Sequence, residues 1–403
     1  FGVGPFCDGL IREGYLLPAE VGVVFTGAFQ MMNWGTVVAV QLERRLGPRL
    51  CAALGVCVMF PGYVVLATLP IPADPYVVMV AYGLLGWGGN HIYISAFQFA
   101  WLYPDRIGIA DGMLAGLFNA AGLVFMALDL PSVTVSGFFS VWSLTSVVIL
   151  VLILVFWPDQ AYQKGDSARV TFPTLRHVRN PFVTSDYFRD VRETLSLRYW
   201  LYALTFAWTA CISEYICGNL GTYFDGVVGD AYLEWAFPLI ANPTFVCGWL
   251  VGYAIDKTGF AWVSFFLILF CQVSLACLCL RQSAVAAWVS LPLLNVVQAL
   301  QYTIEFVFVH KNYPPDVASM GLAVVFVVQG LVSFIASPGL DPNPWGTNLF
   351  PPLLVLGLPS LALYAWPLFE CRHRRLKLER AKSRLAAMSP AAACAHSSCL
   401  APL

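Results

Sequence analysis

Long apolar runs, separated by short polar or glycine- and proline-containing segments, dominate this chain. An apolar run of about 20 residues can cross the hydrocarbon core of a bilayer as an α-helix. The pattern predicts full spans over residues 20–40, 50–70, 76–98, 108–128, 136–157, 199–222, 233–253, 260–280, 284–308, 318–337 and 349–369. A shorter run at 1–9 begins without a methionine, so we expect a partial first span that has lost its N-terminal tail. The predicted fold is an all-α membrane protein with twelve spans as the natural total.

Two short patterns occur twice, half a chain length apart. Residues 103–105 (Tyr-Pro-Asp) precede one glycine-containing apolar run, and residues 313–316 (Tyr-Pro-Pro-Asp) precede another. Residues 44–47 (Arg-Arg-Leu-Gly) correspond to residues 256–259 (Asp-Lys-Thr-Gly) at nearly the same offset. Internal duplication in an apolar chain is typical of transporters built from homologous halves. The sequence therefore predicts two six-helix halves.

The composition fits a lipid environment and excludes several classes of function. Apolar residues make up 59% of the chain and charged residues 11%, whereas soluble domains have about 25% charged residues. The net charge of −1 argues against a nucleic-acid partner. No nucleophile–base arrangement, phosphate-binding loop or metal-ligand spacing is recognisable, so we expect neither an enzyme nor a bound metal or cofactor. The expected partners are the lipid bilayer and a small-molecule substrate.

The basic residues predict the orientation of the helices. If the original N-terminus is cytoplasmic, all 22 lysines and arginines except Arg12 and Arg281 fall on the cytoplasmic side. That distribution is what the positive-inside rule requires. The predicted organisation is an N-terminal half, a cytoplasmic central loop, a C-terminal half and a basic, largely disordered cytoplasmic tail, at residues 1–157, 158–198, 199–370 and 371–403.

A charged signature lies between the predicted eighth and ninth spans. It consists of a glycine, an acid, a base and a second glycine, at Gly252, Asp256, Lys257 and Gly259. Together with the duplicated halves, this signature resembles that of the major facilitator superfamily. The copy in the first half has Arg44 where the acid is expected, and Glu43 one position earlier could supply the carboxylate.

The resemblance implies a gate built on these loops. In that fold the acid pairs with an arginine and with the N-terminus of a neighbouring helix in one access state, and releases them in the other. A carboxylate near a helix N-terminus gains about 0.3–1 kcal/mol, which suits a switch. Arg106 and Lys311 are the candidate cationic partners, and interfacial anchoring of the loops is the alternative. The predicted gating residues are Glu43, Arg44, Arg106, Gly252, Asp256, Lys257, Gly259 and Glu305.

Within the superfamily, the chain resembles solute carrier family 43, the system-L-type amino-acid transporters, and their protist relatives. The resemblance lies in residues 83–89, 103–106 and 112–122, and in Phe1-Gly2 ahead of residues 12–14. It implies facilitated, sodium-independent movement of large neutral amino acids. We also expect a protein that functions as a monomer and resides in the plasma membrane.

Polar residues within spans four, seven and ten are candidates for substrate binding, because the resembled fold lines its cavity with these spans. Polar side chains facing lipid are costly, so they usually face inward. The residues of span ten recur at helical spacing and share one face, with Glu305 near the cytoplasmic edge. The predicted substrate-binding residues are Asn90, His91, Glu214, Tyr215, Asn295, Gln298 and Tyr302. Interhelical hydrogen bonds are the alternative for Asn90 and His91, and a protonated structural carboxyl group is the alternative for Glu214.

Two other functions remain open from the sequence. One is transport of a different small solute, such as a monocarboxylate, sugar or nucleoside, coupled to protons through Glu214. The other is a non-transporting receptor on the same fold. Two glycines at GxxxG spacing, Gly112 and Gly116, predict close helix packing and carry no information about the substrate.

Overall fold

The computed structural model describes residues 3–162 except 19, 196–224, 244–336 except 281 and 314, and residues 227–229, 232, 236, 239, 240 and 379. The described residues form eleven α-helices: α1 (Val3–Arg12), α2 (Val21–Leu46), α3 (Pro48–Ala67), α4 (Pro75–Phe97), α5 (Ile107–Val124), α6 (Val135–Phe156), α7 (Leu197–Tyr223), α8 (Thr244–Thr258), α9 (Phe260–Cys279), α10 (Ala284–Asn312) and α11 (Pro315–Ala336). Short 3-10 helices lie at Gln98–Leu102, Pro104–Arg106 and Phe125–Asp129. The all-α prediction is confirmed. The predicted span at 349–369, most of the central loop and almost all of the tail lie outside the described residues.

Seven helical segments in the described part of the chain are long and apolar enough to cross a membrane. α6 shows the consequence most clearly, because Val141, Leu144 and Val148 project from one of its faces and are 58–73% exposed. A contiguous apolar face of this kind is unfavourable in water and is solvated by lipid hydrocarbon. The fold therefore buries its polar residues inside the bundle and leaves apolar residues outside.

The helices pack as two bundles, one before and one after the central loop. In the first bundle α4 packs against α2 and α3, and in the second α10 packs against α8 and α9. The bundles meet where α5 crosses α8 and where α2 crosses α11, and α5 also contacts α10. These crossings bring together residues that are far apart in the sequence.

The joint between the second and third helix has the same backbone conformation in both bundles. Gly47 ends α2 with φ +82° and ψ 168°, and Gly259 precedes α9 with φ +84° and ψ 176°. Only glycine adopts this region of backbone space without strain. The predicted correspondence between residues 44–47 and 256–259 is thus confirmed at the level of backbone geometry.

One end of the molecule carries most of the described loop charges. The α2–α3, α4–α5, α8–α9 and α10–α11 connections all lie at this end. Five basic residues lie in these connections or at the adjoining helix ends: Arg44, Arg45, Arg106, Lys257 and Lys311. We call it the basic end, and the charge distribution predicts that it faces the cytoplasm.

Candidate functional site

Asp256, near the end of α8, joins the two bundles at the basic end. Its Oδ1 accepts a hydrogen bond from the backbone N–H of Gly108 (3.1 Å), and its Oδ2 accepts one from Ile109 (3.2 Å). Both donors are in the first turn of α5, where backbone N–H groups lack partners within the helix. Lys311 Nζ, at the end of α10, lies 2.5 Å from Asp256 Oδ1. Asp256 therefore contacts both the N-terminus of a neighbouring helix and a base, which is Lys311 and not an arginine.

A second polar contact joins the bundles one helical turn further along α5. Asp111 is fully buried, and its two carboxylate oxygens lie 3.0 and 2.9 Å from Nδ1 of His310 on α10. The His310 ring also lies against Trp101 and Phe97, with centroids 5.1 and 5.8 Å away. The pair is therefore enclosed by aromatic rings, and separating the bundles would break it.

Glycines allow α5 and α8 to approach each other closely enough for these contacts. A Cβ atom at Gly252 would collide with the carbonyl oxygen of Gly108, and one at Gly112 would collide with that of Gly248. The Cα of Gly116 lies 3.7 Å from the position of a Cβ on Gly248. The predicted packing role of Gly112 and Gly116 is confirmed. The same approach explains why the signature requires Gly252.

Aromatic residues close the space between α4 and α10. Phe97 stacks on Phe306 with ring centroids 3.6 Å apart, and Tyr93 meets Phe306 edge to face at 5.0 Å. Tyr93 in turn stacks on Phe118 of α5. These rings lie between the polar contacts at the basic end and the middle of α10, so they seal that end of the interface.

The equivalent crossing of α2 and α11 uses a different acid. Ser319 Oγ of α11 donates to Oε2 of Glu43 at 3.4 Å, and Glu43 is buried. Arg44, at the position that corresponds to Asp256, is partly exposed. The carboxylate thus comes from one residue earlier in the chain, which is the departure that the sequence suggested.

The remaining predicted gating residues take different positions. Arg106 is exposed and makes no ion pair with Asp256, so Lys311 alone of the two candidate bases pairs with this acid. Lys257 Nζ lies 5.8 Å from the centroid of the Tyr253 ring and is exposed to solvent. Arg106 and Lys311 were equal candidates because they lie on matching loops of the two halves, whereas the packing of α8 against α10 brings Lys311 to Asp256.

The polar face of α10 is buried along its length. Asn295, Gln298, Tyr302 and Glu305 are each at most 9% exposed. Asn295 Nδ2 donates to the backbone oxygen of Ile240 at 2.6 Å. Gln301, next to this face, borders a narrow cavity within the second bundle that Thr205 of α7 and Ser264 of α9 also line. The predicted polar stripe exists, and part of it serves contacts within its own bundle.

Asn90 and His91 of α4 make contacts within the first bundle. Asn90 Nδ2 donates to the carbonyl oxygen of Met32 (3.1 Å) and to Thr36 Oγ1 (2.5 Å), both on α2. His91 Nδ1 donates to the carbonyl oxygen of Trp87 at 2.9 Å, and its Cβ is close to Gly55 of α3. Asn90 therefore has the interhelical hydrogen bonds that were the alternative to substrate binding, whereas the His91 side chain bonds within α4 and only packs against α3.

Some functional candidates were not apparent from the sequence, and some predicted ones are not described. Glu214 and Tyr215 lie on α7, but their side chains are outside the described part of the structure. Asp111 and His310 were missed because each stands alone in its segment, and only the crossing of α5 and α10 pairs them. The isolated acid inside the predicted fifth span was the available signal, since intramembrane acids are rare without a role.

Ion pairs, hydrogen bonds to a helix N-terminus and aromatic stacking thus close the basic end, and all three kinds of contact can break when the bundles separate. This arrangement defines a multi-pass membrane carrier with two halves. The sequence profile described as the Major Facilitator Superfamily matches residues 12–337. The chain belongs to this superfamily.

Comparisons with individual proteins support the same fold. The proton:xylose symporter XylE, solved with 6-bromo-6-deoxy-D-glucose, superposes with a TM-score of 0.64 at 13% identity, covering 90% of this chain and 91% of that one. A variant of the Escherichia coli fucose:proton symporter FucP superposes with a TM-score of 0.58 at 12% identity, covering 91% and 95%. At these identities the likeness concerns the fold alone.

Protein FMP42 of Saccharomyces cerevisiae is 32% identical to this chain over 126 residues. The match covers 29% of this chain and 25% of that protein's length. It therefore concerns a segment and not the whole of either chain.

Proposed function

We propose that this protein moves a small organic solute across a membrane by alternating access, and that the solute is a large neutral amino acid. The observation that carries the proposal is the closure of the basic end by Asp256. Its carboxylate holds the first turn of α5 in the other bundle, through Gly108 and Ile109. A carrier needs such a closure to be stable in one state and to break in the other.

The strength of the closing contacts suits that task. A carboxylate at a partly buried helix N-terminus contributes up to about 2 kcal/mol. Two states that interconvert during transport must differ by only a few kcal/mol. Several contacts of this size, distributed over Asp256, Asp111 and Glu43, can hold the basic end closed without locking it.

The choice of substrate depends on the resemblance to solute carrier family 43. The α10 residues Asn295, Gln298 and Tyr302 supply amide and phenol groups that can hydrogen-bond a substrate when the halves rearrange. Glu214, on α7, is the proposed counter-charge for the substrate ammonium group. The plasma membrane and a monomeric carrier are part of the same proposal.

Uptake into proteoliposomes tests the substrate class. Radiolabelled leucine or phenylalanine should accumulate to equilibrium in vesicles that contain the protein and not in empty ones. An excess of other large neutral amino acids should compete, whereas xylose and lactate should not. Failure of every neutral amino acid to compete would contradict the amino-acid proposal, and competition by xylose or lactate would favour the other solute classes.

A pair of variants tests the α10 face. Gln298 is buried on this face and Gln282 is exposed in the preceding loop. Gln298→Ala should raise the KM for uptake about tenfold, the equivalent of one lost hydrogen bond of 1.4 kcal/mol. Gln282→Ala should leave KM unchanged. Equal KM values for the two variants would remove Gln298 from the proposed site.

A further inference from the structure

Glu305 of α10 is a carboxyl group deep inside the closed interface. It is 0% exposed and lies seven positions before the helix end at Asn312. At about 1.5 Å per residue, it lies roughly 10 Å along the helix from the basic end. Neither of its carboxyl oxygens has a hydrogen-bond partner among the described residues.

The other acids near this interface are partnered, which makes Glu305 different from them. Asp256 has two backbone donors and Lys311, and Asp111 has His310. A carboxylate without a donor or a counter-charge is very unfavourable in a buried site, whereas a neutral carboxylic acid is tolerated there.

The groups around Glu305 are polar and uncharged. Tyr93 of α4 lies edge to face against Phe306, the residue after Glu305, with ring centroids 5.0 Å apart. The hydroxyl of Tyr202 donates to the backbone oxygen of Glu305 and not to its carboxyl group. The Tyr93 hydroxyl has no hydrogen-bond partner within the described segments, and neither does the amide of Gln301, one turn along α10.

The charged groups nearest to this pocket are already matched to one another. Asp111 of α5 lies 2.9 Å from Nδ1 of His310, and Asp256 of α8 lies 2.5 Å from Nζ of Lys311. These two basic side chains are therefore each paired with an acid. They therefore leave no positive charge to balance an ionised Glu305.

We propose that Glu305 is a proton-binding site, which holds its proton while the basic end is closed and loses it when that end opens. The proposal rests on the alternating access proposed above. Phe306, the next residue, stacks on Phe97 of the other bundle, so separation of the bundles removes the cover beside Glu305. Water then reaches the carboxyl group and stabilises its ionised form. Closure in turn requires the proton to return.

Infrared spectroscopy of the full chain in lipid tests the protonation state directly. A protonated carboxyl group has a carbonyl stretch distinct from that of a carboxylate. The spectrum of the wild type minus that of Glu305→Gln should contain this band at neutral pH, and Glu305→Asp should restore a shifted band if the glutamine variant folds poorly. Asp105, exposed in the α4–α5 connection, supplies the control, and Asp105→Asn should not change the band. His310→Gln should retain it.

A carboxylate band in place of the protonated one in the Glu305→Gln difference spectrum would overturn the proposal. This outcome is independent of transport, so it separates failure of the proton site from failure of the proposed carrier function.

A second readout is the distance between two spin labels, one on each bundle. The labels are attached to non-natural amino acids at the exposed positions Arg45 and Thr258, and the distance distribution gives the populations of closed and open protein. The ratio of closed to open protein should rise by up to tenfold for each unit by which the pH falls. The Glu305→Gln variant should lack the part of this pH dependence that comes from Glu305. A closed-to-open ratio that depends on pH in the same way in the variant and the wild type would also overturn the proposal.

Discussion

At the residue scale, Gly259 shows how a single position can be fixed by backbone geometry. Its φ of +84° with ψ of 176° is accessible to glycine and strained for other residues, and Gly47 repeats it in the other bundle. The two glycines allow the α2–α3 and α8–α9 joints to turn within a single residue. The charged residues just before each joint are thereby held at the interface between the bundles.

Substitution of Gly259 by alanine should therefore destabilise the protein. Gly259→Ala should cost about 1–3 kcal/mol, because the strained backbone must be kept or the joint must shift. Gly89→Ala is the matched control, since a Cβ at this helical glycine would have no atom within 4 Å. Thermal unfolding in detergent should show a Tm several degrees lower for the first variant and no loss for the second. Equal Tm values would contradict this account of the joint.

The sequence predicted some site residues and missed others for reasons that are visible in single side chains. The acid–base signature singled out Asp256, which contacts α5 and Lys311, because the signature is a local pattern. The sequence places Asn90 on the predicted fourth span, but position along a helix does not say which neighbour a side chain contacts, and this amide contacts α2. The pairing of Asp111 with His310 joins positions 199 residues apart, and no local pattern encodes such a contact.

At the element scale, α10 carries proposed substrate-binding residues, the buried acid Glu305 and the residues that contact α5 and α8 at the basic end. Its middle carries Asn295, Gln298 and Tyr302, the following turn carries Glu305 and Phe306, and its last turn carries His310 and Lys311. Positions of the helices were largely predictable, because apolar runs of membrane-crossing length are a strong signal. The contacts between helices were not predictable, because which apolar face of a helix packs against a neighbour depends on shape complementarity and on small residues such as Gly112.

The Asp111–His310 contact between α5 and α10 can be tested by a double-mutant cycle. His310→Gln should cost about 3–5 kcal/mol, because it removes the partner of a buried carboxylate. The double variant Asp111→Asn/His310→Gln should cost at least about 1 kcal/mol less than the sum of the single variants. The measurement is the free energy of unfolding in mixed micelles.

The control for this cycle combines His310→Gln with Asp105→Asn, because Asp105 is exposed in the α4–α5 connection and does not contact the histidine. That combination should be additive. Additivity in the Asp111 cycle as well would show that the two buried residues do not stabilise each other.

At the scale of the whole molecule, the two halves share a fold but not a switch. The α5–α8 crossing uses Asp256 at a helix N-terminus, close glycine contacts and Lys311. The α2–α11 crossing uses Glu43 and a longer hydrogen bond from Ser319. The duplicated sequence predicted the shared fold, and the replacement of an acid by Arg44 predicted the difference between the crossings. We expect the α5–α8 crossing to control opening of the basic end.

The distance between labels on Arg45 and Thr258 tests the central claim most directly, because it measures separation of the halves at the basic end. In the wild type, pulsed electron paramagnetic resonance should show a predominant short distance. Asp256→Asn weakens the hold on α5, and each 1.4 kcal/mol lost should increase the longer-distance population about tenfold relative to the short one. Asp105→Asn should leave the distribution as in the wild type. A single short distance, identical in the wild type and Asp256→Asn, would contradict the account.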